Sequence, residues 1–129
     1  MKSSHLVRFT FVAMLALLLG ACSSLPTMPW SKNQLAGTWK NSLGTVWTIK
    51  SDGTFTADVH HAKIHASGTY KISGDTFTIT ETGAKVPQVC KGDAVYHFHR
   101  DGVKLHFTVV SDKCKIRKAD VTKEWTAVK

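Results

Sequence analysis

From residue 37 to the end of the chain, apolar and polar positions alternate. This period of two is the signature of strands with one buried face. The pattern predicts strands at Gly37–Asn41, Thr45–Lys50, Thr54–Val59, Ser67–Ile72, Thr76–Thr82, Ala94–Arg100, Val103–Ser111 and Thr122–Val128. It predicts no helix of length over the same stretch, apart from a turn near Gln34. Short strands separated by regular turn signals predict an all-β fold. Eight strands in up-and-down antiparallel order close into a barrel, which removes exposed edges.

Three turns test the register. A two-residue loop at Asp101-Gly102 sets Phe98 across from Leu105 and Tyr96 across from Phe107. A loop at Gly74-Asp75 sets Ile72 across from Phe77 and Tyr70 across from Ile79. At Ser51-Asp52-Gly53 a three-residue loop with Gly53 left-handed sets Ile49 across from Phe55 and Trp47 across from Ala57. Each hairpin then has one apolar face, which a one-residue slip would turn into solvent. Residues 60–66 and 83–93 are the longer loops and belong at the rims.

The front of the chain follows another rule. Lys2 and Arg8 flank an apolar run, Phe9–Leu19, of signal-peptide length and far short of a bilayer span. Residues 23–34 carry Pro26 and Pro29 and no period, and read as an extended tether. The expected organisation is a signal peptide at 1–21, a tether with its first residue at 22–34, and one barrel domain at 35–129.

The signal segment ends in Leu19-Gly20-Ala21-Cys22, which resembles the bacterial lipobox. The resemblance implies cleavage before Cys22, a diacylglyceryl thioether on its sulfur and a fatty acyl group such as palmitate on its amine. Three chains anchor stably where one would not. Ser23, rather than Asp, follows the cysteine, as in outer-membrane lipoproteins. The expected location is therefore the bacterial cell envelope, lipid-anchored at the outer membrane and facing the periplasm. With Cys22 given to lipid, Cys90 and Cys114 remain as a pair. A disulfide between them would add about 3 kcal/mol of stability. Two reduced thiols or a metal pair are the alternatives.

Gly37-Thr38-Trp39 and Ser51-Asp52-Gly53-Thr54-Phe55 resemble the start of small bacterial lipocalin-like (calycin) domains. Cys90, Tyr96, Phe98, Gly102, Leu105, Phe107, Asp112 to Arg117 and Trp125 extend the likeness across residues 35–129. In that family a late Arg packs on the first-strand Trp and closes the barrel. The resemblance implies that Arg117 packs on Trp39, a cation–π contact of about 0.5–2 kcal/mol. It also implies a small hydrophobic or amphiphilic ligand inside the barrel, with Trp47, Phe55, Tyr70, Phe77, Tyr96, Phe98 and Phe107 as its apolar lining. The plainer reading of those rings is a filled core.

The formal charge of +8 falls only to about +6 when Lys2 and Arg8 leave with the signal segment. A basic exported domain favours anionic surfaces such as lipid headgroups or polyanionic polysaccharide. Export argues against nucleic acid, although Lys113, Lys115, Arg117 and Lys118 form a basic knot. His97, His99 and His106 fall on one outward face, with His97 placed opposite His106, and form a weak candidate metal site; His60, His61 and His65 form a second cluster. Solvated surface histidines are the plainer account. The two Glu and seven Asp sit in no catalytic motif, and neither a phosphate loop nor a Gly-x-Ser-x-Gly run occurs. The expectation is a non-enzymatic envelope lipoprotein without a cofactor. It binds a small ligand or, as an alternative, acts as a protein interaction module or inhibitor.

Overall fold

The computed structural model describes residues 34–83 and 85–129. Residues 1–33, where the signal peptide, Cys22 and the tether are expected, lie outside the described residues. Eight strands follow one another: β1 (Gly37–Asn41), β2 (Val46–Ile49), β3 (Thr54–Val59), β4 (Ile64–Ser73), β5 (Thr76–Glu81), β6 (Gly92–Asp101), β7 (Lys104–Ser111) and β8 (Trp125–Ala127). Each pairs antiparallel with the next, and β1 pairs with β8, so the sheet closes into a barrel. Alternation along the strands drives this arrangement. In β5, Phe77, Ile79 and Glu81 are buried while Thr76, Thr78 and Thr80 are only partly covered.

Two of the three hairpin registers match the pattern reading. Ile49 pairs with Phe55 and Trp47 with Ala57, around a Gly53 with φ of 91°. Ile72 pairs with Phe77 and Tyr70 with Ile79. The third is displaced by two residues. Asp101 pairs with Lys104, so the loop is Gly102-Val103, and Phe98 lies opposite Phe107 rather than Leu105. The reason is the glycine's place in the turn. Gly102 has φ of 56° and takes the first loop position, as Gly74 does with φ of 59°. A shift of two preserves the faces, and Tyr96, Phe98, Leu105 and Phe107 all remain buried.

A further departure is a helix. Lys115–Val121 forms α1, where no helix was predicted, and the last strand shrinks to three residues. The expected 60–66 loop is a short 3-10 turn, His60–Ala62, and one left-handed residue, Lys63, after which residues 64–66 already belong to β4.

One barrel end carries the turns at 50–53, 74–75 and 102–103 together with the chain's approach through Gln34. The opposite end carries residues 42–45, 60–63, 82–91 and α1. Between them the interior is packed with rings. Trp47 touches Phe55, Phe77, Phe107 and Trp125, with centroid separations of 5.2–5.7 Å.

Candidate functional site

Trp39 lies at the tethered end of the core. Its Nε1 donates to the Leu35 carbonyl at 2.9 Å. The guanidinium over its ring, however, belongs to Arg100, 5.1 Å from the centroid. Arg100 also donates to the carbonyls of Gln34 and Gly102. The barrel closure implied for Arg117 is therefore corrected: the cation on Trp39 comes from the end of β6.

Arg117 sits at the other end, on α1, and is 7% exposed. Its Nε and Nη2 each donate to Asp112 at 2.8 Å, a bidentate pair. Its Nη1 donates to the Cys90 carbonyl at 2.7 Å and lies 3.4 Å from Glu81 Oε1. Tyr96 donates its hydroxyl to the same Asp112 carboxylate. Burial works against the Asp112 charge, but the hydrogen bonds from Arg117, Tyr96 and the Cys114 N–H outweigh it, and its pKa is lowered. Burial raises the pKa of Glu81, and Arg117 only partly offsets this. The Tyr96 hydroxyl is raised by burial and by its bond to Asp112. Burial also opposes the Arg117 charge, yet Asp112 and Glu81 win and its pKa is raised.

Cys90 and Cys114 form a disulfide with Cα atoms 4.6 Å apart. It joins the 3-10 turn at Gln88–Cys90 to the start of α1, so the Arg117 network and the bridge fix the same two segments. A second clasp fixes the far end of the helix. Asp120 Oδ1 accepts from Thr45 Oγ1 at 2.7 Å and from Asn41 Nδ2 at 3.1 Å, and Asn41 Oδ1 caps the turn through the N–H groups of Leu43 and Thr45.

Beneath α1 lies a cavity of about 40 Å³. Its walls are mainly apolar and include Phe55, Ala66, Ile79, Val86 and Val121, closed on one side by the disulfide. The rim includes Pro87 and Ile116, both exposed. Glu81, Arg117 and Asp120 also border it. Trp47 forms part of the wall, and its buried Nε1–H has no hydrogen-bond partner. A buried donor left without a partner costs about 1–3 kcal/mol. An acceptor that reached this N–H would be rewarded.

Of the expected lining, Trp47 and Phe55 border the cavity. Tyr70, Phe77, Tyr96, Phe98 and Phe107 do not; they belong to the packed core, and the Tyr96 hydroxyl reaches Asp112 in the Arg117 network. The wall residues absent from the expected lining come partly from strands, as Ala57, Ala66 and Ile79 do, and partly from segments without a strand period: Val86, Pro87, Ile116 and Val121.

The histidines do not converge. His99, not His97, lies opposite His106, because of the two-residue register change. His97 approaches Asp75 at 3.3 Å, and His65 pairs with Asp58. Among the described residues no group of three or more His, Cys, Asp or Glu side chains is placed to hold a metal ion.

Searches of protein-family models, curated proteins and solved structures find no match to this chain.

Proposed function

We propose that this chain is an exported lipoprotein, acylated at Cys22 and held at the outer membrane, whose barrel takes a small apolar or amphiphilic ligand at the α1 end. The observation that carries the ligand reading is the cavity under α1, with mainly apolar walls that include Trp47, whose buried N–H has no partner. Its size limits the ligand. At about 10–15 Å³ for each water, the space suits about three or four waters or a group of a few heavy atoms. A longer molecule would place only its end inside.

The ring-filled remainder of the barrel favours a second reading, an interaction module that works through its outer surface. Two experiments separate them. Native mass spectrometry of the protein extracted from envelopes reports a co-purifying small molecule, and its loss in Val86→Trp, which plugs the slot, supports the first reading. No adduct, together with a stoichiometric envelope protein in cross-linking, favours the second. For the anchor, Cys22→Ala is expected to abolish the acylated N-terminal peptide and release the protein from membranes. Unchanged membrane retention would sink that part.

A further inference from the structure

The α1 end of the barrel separates its charges by depth. In the segments that form it, 57–66, 79–95 and 111–121, Glu81 and Asp120 are buried and Asp112 is turned inward onto Arg117. Arg117 pairs with Asp112 and lies beside Glu81, while Asp120 is held by Asn41 and Thr45, so these buried groups leave two formal negative charges beneath the surface. The exposed carboxylates of the same segments are Asp58 and Asp93. Asp58 is paired to His65, and Asp93 accepts from Thr80. Against them stand exposed Lys63, Lys85, Lys91, Lys113, Lys115 and Lys118. Each is a chain neighbour of a cavity-wall residue, so all six lie on the segments that build the cavity's end of the barrel. Six exposed lysines from three separate segments outweigh the carboxylates of the same segments and lie outermost, so this end presents a net positive surface that attracts polyanions.

The position of this end selects among anionic partners. The described chain enters at Gln34, beside Arg100 and the 102–103 turn, at the opposite end. A ten-residue strand such as β4 is about 33 Å long, and at the barrel tilt of about 35–45° it rises about 25 Å along the axis. Residues 22–33 reach at most about 40 Å when fully extended. With Cys22 anchored as proposed above, bringing the lysines down to the bilayer would use most of that reach. The geometry points to a function beyond the cavity: we infer that the lysine-rich α1 end docks a polyanionic glycan on the side facing away from the protein's own membrane.

The test uses the full acylated chain in phosphatidylcholine vesicles, with fluorescent dextran sulfate as probe. Expected is capture of the polymer, weakening steeply as salt rises. Lys85→Glu/Lys91→Glu/Lys115→Glu should lower affinity at least tenfold. The control Lys40→Glu/Lys50→Glu/Lys71→Glu, on the barrel wall and the tethered end, should change it less than threefold, with unchanged circular dichroism in both. Equal losses in the two triple variants would overturn the proposal, since net charge would then suffice. So would the absence of capture at physiological salt, or clustering with added phosphatidylglycerol vesicles in preference to the polymer. Val86→Trp should leave capture intact, so failure of the cavity reading and failure of this one are distinguishable.

Discussion

The guanidinium of Arg100 lies over the indole of Trp39, and the same side chain holds the Gln34 carbonyl beside it. Trp39 in turn donates to Leu35, so two side chains from β1 and β6 pin residues 34–35 across the tethered end. A cation–π contact of about 0.5–2 kcal/mol combines here with hydrogen bonds from a charged donor. Arg100→Ala should therefore cost about 1–3 kcal/mol in urea unfolding. Arg100→Lys should recover only part of it, because an ammonium lacks the planar fork. A neutral Arg100→Ala would show that the contact is incidental.

How far this was legible depends on what the chain buries. Strand positions were readable because Thr alternates with Phe and Ile in β5, and a period of two survives errors of two in register. Arg117 was misplaced because a helix intervened. The buried positions of α1 are 117, 120 and 121, a correct helical spacing. Two of these three are Arg and Asp, so a hydrophobic pattern could not display them. Ile116, the apolar residue that a pattern would seat inside, faces out. The cavity was hidden for the same reason, since its lid is this helix. The disulfide was readable by elimination, because pairing Cys90 with Cys114 needs no knowledge of the helix.

The Arg117 network has two opposed pH signatures. The Asp112 pKa is lowered on folding, so its contribution is complete above about 3.8 and is lost as pH falls through the lower folded value. The Glu81 pKa is raised, so the native state binds more protons than the unfolded one above 4.5, and stability falls as pH rises towards the folded value. Asp112→Asn should remove the acid-side gain, and Glu81→Gln should remove the decline at higher pH. Urea unfolding from pH 2.5 to 8 reads both slopes. Parallel curves for wild type and Glu81→Gln would refute the second assignment.

The Cys90–Cys114 bridge closes a separation of 24 residues and anchors the start of α1. Loop entropy makes it worth roughly 3 kcal/mol. Reduction under native conditions should lower the denaturant midpoint by a corresponding amount. Hydrogen exchange should quicken first at Gln88–Lys91 and in α1, because the bridge joins those segments directly. Protection that falls evenly across all eight strands would instead mean that the bridge acts only on the unfolded chain.

Gly68 of β4 lies opposite Glu81, which borders the cavity. A Cβ placed there would lie 2.0 Å from the Thr80 carbonyl oxygen and 3.0 Å from the Glu81 Cα. Both are backbone atoms of the paired strand, so no rotamer change relieves the overlap. The β4–β5 pairing must open, which displaces Glu81 from Arg117 as well. Gly68→Ala should thus cost at the upper end of the roughly 1–3 kcal/mol typical of overpacking. It should also weaken the pH-dependent slope assigned to Glu81, whereas Gly74→Ala, whose Cβ meets nothing within 4 Å, should leave that slope in place and show only the strain of its positive φ. The comparison is made by urea unfolding of the two variants at pH 5 and pH 8. An unperturbed Gly68→Ala would mean that β4 and β5 do not approach as closely there as the backbone spacing requires.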